Sequence, residues 1–357
     1  MRYVSIDYVT EGMVLGKPFY GRSGQLMLNE GVALTRGFIR KIRELQYSGL
    51  YILDAFSEGI EIKDVISTEV RHNITGAMGR LLTNVQKGNS QSFAQDMQKI
   101  SQYLNNLIDE IMASSSTVVN IIDLKEFDLY THQHSVNVCV LSCIIGMVYS
   151  MPRPQLYTLA MAAILHDVGK MFIDKDLLNK PSQLTPDEFE IMRSHANLGY
   201  ELTSKKSQLS SSVTTSILQH HERYNGEGYP LGRKGSEIPI NAQIISIVDV
   251  YDALTSKRPY HDPVLPSEAY EYISGNSGRA FNPELVDVFI KKIAPFPLGV
   301  QVQLSNGLTG IVFKNYEECL TRPLIKINPS SSAPEERFID LAHDVSAYNI
   351  TIEKVIA

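Results

Sequence analysis

Cysteine is scarce in this chain. Cys139, Cys143 and Cys319 are the only three among 357 residues, too few for a disulfide framework. Cys139 and Cys143 stand four apart in an apolar helical pattern, which predicts buried core thiols rather than a disulfide or a CxxC site. That usage fits a reducing compartment, so a cytoplasmic location is expected. A long unbroken apolar run is also missing. The most apolar stretch, VNVCVLSCIIGMVYSM, is interrupted by Asn137 and Ser142 and is short for a bilayer. It predicts a buried helix and no membrane insertion. The N-terminal MRYVSIDYVTEGM has neither the basic segment nor the apolar core of a signal peptide. Positive charge is not in excess: the formal net charge is −6. This argues against a general binder of long nucleic acid, whose affinity comes from neutralising phosphates. A small phosphate ligand stays open, because local charge can differ from net charge. No internal repeat or low-complexity tract occurs.

What is present is an ordinary soluble composition, 43% hydrophobic and 20% charged, at a length that suits two or three domains. Residues 1–60 read as a small α+β module. Two short strand-like runs flank Gly21 to Gly24, a hairpin signal. Thr35 then caps a helix with Phe38, Ile39, Ile42 and Leu45 on one face, and GLYIL follows as a strand. The module has no cluster of catalytic residue types, which leaves regulation or plain packing. Residues 61–122 predict two amphipathic helices broken at Gly88-Asn89-Ser90. They suit core packing against the next domain, or a homodimer or signalling-partner contact. Residues 123–294 read as a helical block. It includes QLTPDEFEIM, with Thr185 as N-cap, Pro186 at the first helical position and Glu188 completing a capping box. Residues 295–357 alternate around Asn306-Gly307 and predict a small β-rich domain. The fold class expected is therefore mainly α, with small α+β and β-rich pieces at the two ends.

Nearly all the strong chemistry falls in the helical block. His134, His166-Asp167, His195, His220-His221 and Asp249 recur where apolar helices should bury or half-bury them. Imidazole and carboxylate together suit a first-row divalent metal, and a carboxylate can bridge two ions. No two of these elements share an H-x-x-x-H turn, so they must converge from about five helices, as in metal sites of helical bundles. Singly each is weak, since a lone histidine on an apolar face is more often a satisfied core residue. Asp249, between Val248 and Val250, is the hardest to dismiss, because a buried carboxylate without a cation is costly.

The order H…HD…D resembles the HD-domain metal-dependent phosphohydrolases. HDVGK, His195, HHERYNGEGYP and VDVYDALTSKRPY resemble the HD-GYP subfamily, over about residues 123–290. The resemblance implies an HD-type all-helical bundle. It implies a phosphodiesterase that hydrolyses the bacterial second messenger cyclic di-GMP to pGpG, GMP or both, with a metal-bridging hydroxide as nucleophile. It also implies His134, His166, Asp167, His195, His220, His221 and Asp249 as metal ligands, with Asp167 bridging. The ions would be iron or manganese. Two are implied rather than three, because Tyr130 stands where some members carry a glutamate. Lys170 matches a lysine near the scissile phosphate. Tyr229, Arg258 and Asp128 match nucleotide contacts, and His261 stands where a basic residue is usual. Two alternatives are a catalytically weak cyclic di-GMP receptor and an HD hydrolase of another cyclic dinucleotide.

Overall fold

The structure, a computed structural model, describes residues 1–21, 25–45, 47, 49–87, 90–114, 118, 133–206, 209–256, 263–328 and 337–356. Strands β1 (Arg2–Ser5), β2 (Val14–Leu15) and β5 (Gly49–Leu53) form a three-stranded sheet in the order β1-β5-β2. Strands β3 (Phe19–Tyr20) and β4 (Leu26–Leu28) pair beside it. Helix α1 (Arg36–Glu44) starts where the Thr35 side chain accepts the Phe38 N–H at 3.3 Å. It buries Ile39 and Ile42 against Val4, Leu15, Phe19 and Leu50. Phe38, expected on the same face, is 38% exposed. At 100° per residue it lies beside the buried stripe rather than in it.

The helical mass consists of α2 (Thr68–Gln86), α3 (Ser90–Ala113), α4 (Gln133–Val148), α5 (Arg153–Leu165), α6 (Lys175–Leu178), α7 (Pro186–Arg193), α8 (His195–Lys206), α9 (Ser211–Gln219), α10 (Ile240–Thr255), α11 (Pro266–Gly275) and α12 (Pro283–Ile290). One hydrophobic core runs from Ile66 on the approach to α2 to Ile293 just past α12. Helices α4, α5 and α10 lie at its centre. They are apolar around most of their circumference, and a helix of that kind is stable only when other helices cover it. Cys139 and Cys143 are buried and free on α4. The capping box of α7 forms in both directions. Thr185 accepts the Glu188 N–H at 3.3 Å, and Glu188 accepts the Thr185 N–H at 2.8 Å.

After α12, strands β6 (Gln301–Leu304), β7 (Thr309–Lys314), β8 (Leu324–Ile327), β9 (Arg337–Asp340) and β10 (Ile352–Ile356) form an antiparallel sheet in the order β10-β6-β7-β8-β9. The β6–β7 hairpin turns at Gly307, whose φ of +80° suits glycine. The two ends of the chain meet. The Tyr3 N–H donates to the Gly299 carbonyl at 3.0 Å, and Tyr51, Ile60, Ile62 and Ile311 share a small apolar cluster. Among the described residues no helix is long and apolar enough to cross a membrane.

Candidate metal centre

Three histidines owe their orientation to helix ends. The last carbonyls of a helix lack intrahelical donors, and a nearby side chain can supply one. His166 follows the last residue of α5 and its Nδ1–H donates to the Ala163 carbonyl at 2.7 Å. His195 follows α7 and donates to Met192 at 2.6 Å. His220 ends α9 and donates to Ile217 at 2.7 Å. Each ring thus anchors itself three residues back and turns Nε2 inward. His134, near the start of α4, is held differently. Its Nδ1–H donates to Asp252 Oδ2 at 2.6 Å. Fixing one ring nitrogen in this way sets which nitrogen can bind a metal.

The inward atoms surround Asp167. Its Oδ2 lies 3.6 Å from His134 Nε2 and 3.4 Å from His166 Nε2. Its Oδ1 lies 3.5 Å from His195 Nε2 and 3.9 Å from His220 Nε2. Asp249 Oδ1 is 3.0 Å from His134 Nε2 and 3.9 Å from His166 Nε2, and Asp249 Oδ2 is 3.9 Å from His221 Nδ1. Metal bonds of about 2.1 Å separate neighbouring ligand atoms by about 3.0–3.4 Å, close to several of these spacings. The structure therefore brings together all seven residues that the sequence singled out as ligands, in three overlapping groups able to hold an ion. Asp128, Tyr130, Arg258 and His261 lie outside the described residues.

The buried atoms fit a divalent cation. His134 Nε2, His166 Nε2 and Asp167 Oδ1 are inaccessible to water and have no aligned hydrogen bond among the described residues. Unsatisfied buried groups of this kind are rare without a reason. Burial and the neighbouring His221, His166 and His195 hold the His220 pKa well below its ordinary value. Burial likewise lowers His221 to about 3, and it lowers His195 despite the Asp167 charge. Neutral imidazoles are the metal-binding form. Burial opposes ionisation of Asp167 and Asp249, but the Lys170 and His166 charges for the first, and His134 for the second, bring both well below the ordinary range.

His134 carries the opposite shift. Burial acts against its charge, yet the neighbouring Asp249 and Asp252 carboxylates outweigh burial and raise it to about 9. Its proton is present below that pH and leaves as pH rises through it. A cation taking Nε2 must displace this proton, so metal loading at about pH 7.5 should release about one proton from His134. That release should fade as pH passes about 9. Calorimetry in two buffers of different ionisation enthalpy measures it, and a release that does not change with pH would argue against displacement at His134.

The turn after His166-Asp167 is a 3-10 segment, Val168–Phe172. A Cβ at Gly169 would collide with the His195 carbonyl, so only glycine lets this turn reach the start of α8. Lys170 Nζ lies 2.6 Å from Asp167 Oδ2. In the glycine-rich loop Gly226 has φ +88°. A Cβ at Gly228 would meet the backbone of Glu222 and Arg223, so Gly228 serves the loop's own close packing. Tyr229 lies over His221, with ring centres 4.8 Å apart and planes at 31°. The Arg193 guanidinium sits 4.6 Å from the Tyr229 ring centre.

Three further residues that the sequence does not single out border this centre. Asp252 is fully buried and orients His134. Its position three residues after Asp249 on one apolar helix was the available signal. Glu222 is buried and accepts the Leu231 N–H at 2.7 Å and the Arg233 N–H at 3.1 Å, pinning the glycine-rich loop. Its place after two histidines was a weaker signal. Arg193 had none.

Residues 116–285 match the HD domain family. The chain is 34% identical over 229 residues to cyclic di-GMP phosphodiesterase PA4108 of Pseudomonas aeruginosa, covering 63% of this chain and 55% of that protein. It is 40% identical over 173 residues to a cyclic di-GMP phosphodiesterase of Thermotoga maritima, covering 47% of this chain and 46% of that protein. The chain thus spans about half the length of these curated relatives. An HDG"Y"P protein from Bdellovibrio bacteriovorus shares the fold, with a TM-score of 0.53 at 16% identity over 81% of this chain and 97% of that chain. The matched residues place an HD domain over residues 116–285 of this chain.

Proposed function

We propose that the chain is a metal-dependent phosphodiesterase that hydrolyses cyclic di-GMP to pGpG, GMP or both. The observation that carries this reading is the Asp167 carboxylate, whose two oxygens face two separate sets of histidine nitrogens. One ion would be held by His134, His166 and Asp249 with Asp167 Oδ2. The other would be held by His195, His220 and His221 with Asp167 Oδ1. The donor set of imidazole and carboxylate suits a first-row divalent metal, and the family resemblance implies iron or manganese. When bound, such a pair supplies an activated water and neutralises phosphoryl charge.

The chain's own residues supply the rest. Asp167 and Asp249 provide the negative charge that attracts the cations. Lys170, three residues from Asp167, carries an ammonium that can turn to a phosphoryl oxygen where charge grows in the transition state. Tyr229 offers a ring beside the ligand histidines, and Arg193 lies over that ring. A guanine base can stack on that ring by taking the place of the Arg193 guanidinium. Arg258, His261 and Asp128 are further proposed nucleotide contacts. The test is turnover of cyclic di-GMP beside a panel of other cyclic dinucleotides, with products identified. Binding without turnover would favour the receptor reading.

Tyr229→Ala should separate substrate from metal. Base stacking on an aromatic contributes about 1–3 kcal/mol, so KM should rise roughly tenfold. Metal content should stay at the wild-type level. Loss of metal with KM unchanged would remove Tyr229 from the substrate site.

A further inference from the structure

Arg71 is on α2, outside the residues that match the HD domain, and is only 5% exposed. Its Nη1 donates to Asn137 Oδ1 at 3.1 Å. Asn137 passes the contact on, because its Nδ2 donates to Asp252 Oδ1 at 3.2 Å. The other Asp252 oxygen takes the His134 Nδ1–H at 2.6 Å. Asn137 and Asp252 are both fully buried. The line of contacts therefore runs guanidinium, amide, carboxylate, imidazole, across helices α2, α4 and α10 and back to α4.

This line has a direction. A cation faces the amide oxygen and an anion faces the amide nitrogen. Turning the Asn137 amide over would set its oxygen against the Asp252 carboxylate, which is strongly unfavourable in a dry interior. The Arg71 charge thus holds the amide, the amide holds the carboxylate, and the carboxylate fixes the ring plane and the Nδ1–H form of His134. Outer partners of metal-binding histidines orient the ligand and raise its basicity.

We propose that Arg71 is a positioning residue for the metal centre, acting on His134 through Asn137 and Asp252, so that α2 tunes one of the two ion positions. This rests on the ligand set proposed above. It places part of the metal-binding apparatus outside the HD domain itself. A merely structural Arg71 would help hold α2 against α4 and would leave metal affinity alone once the protein had folded.

The experiment titrates Co2+ into metal-free full-length protein and follows visible absorption, with His134→Ala identifying the binding step that uses His134. Arg71→Gln should weaken that step about tenfold, the low end of the range for outer partners, and leave the other step within about twofold. Arg71→Lys, which keeps the charge, should stay within about threefold of wild type. In an Asp252→Asn background Arg71→Gln should add nothing, because the line is already broken. Asn137→Leu, near in volume, should reproduce the Arg71→Gln loss and decides the matter if Arg71→Gln does not fold. Unchanged Co2+ affinity in the folded variants, or additive losses with Asp252→Asn, would overturn the proposal. Wild-type protein that takes up no Co2+ would overturn the metal centre and this proposal together. Binding by wild type but not by Asp167→Ala upholds the centre, whatever Arg71 does.

Discussion

Asp167→Ala is expected to abolish hydrolysis of cyclic di-GMP and to remove metal from the whole centre. One carboxylate faces His134 and His166 with one oxygen and His195 and His220 with the other. Its loss takes a ligand from both ion positions and leaves two cations to repel each other across a gap with no shared anion. Losing one preorganised electrostatic group lowers turnover by on the order of 10²–10³, and loss of the ions should take the fall beyond that. Lys170 Nζ would lose its partner at 2.6 Å as well. Elemental analysis and turnover of the purified variant check this, with circular dichroism to establish folding. Wild-type metal content with wild-type turnover would refute the site.

His220→Ala should do comparable damage to turnover and unequal damage to metal. His220 is fully buried, anchored on the Ile217 carbonyl, and its Nε2 is 3.4 Å from His195 Nε2. Burial and the three neighbouring histidines hold its pKa well below the ordinary value. It faces only one oxygen of Asp167, so its removal opens one ion position while His134, His166 and Asp249 keep theirs. Turnover should fall by about 10²–10³, because a two-ion mechanism needs both. Metal content should drop by about half. Loss of both ions would mean that the positions fill only together, and loss of neither would remove His220 from the ligand set.

The contrast between these variants comes from geometry that the sequence carried only in part. The seven ligand candidates were legible because titratable residues inside apolar helices are conspicuous, and Asp249 between two valines is the plainest example. The capping box at Thr185 and Glu188 was legible because it is local. The partners that orient the ligands were not. Asn137 and Asp252 meet across 115 residues, and Arg71 and Asn137 across 66. No pattern within one helix announces such a contact. At Gly228 the nearest obstacle to a side chain is the backbone of Glu222 and Arg223, a contact that no local pattern marks. The pairing of Tyr3 with Gly299, which joins the two ends of the chain, is equally silent in sequence.

Paired ions in this helical bundle are proposed to drive hydrolysis of a cyclic dinucleotide. Anaerobic purification, elemental analysis and turnover of cyclic di-GMP before and after chelation test it most directly. About two divalent ions per chain are expected, with turnover that disappears on chelation and returns with iron or manganese. Turnover that survives complete removal of metal, or fully loaded protein that binds cyclic di-GMP and leaves it intact, would contradict it.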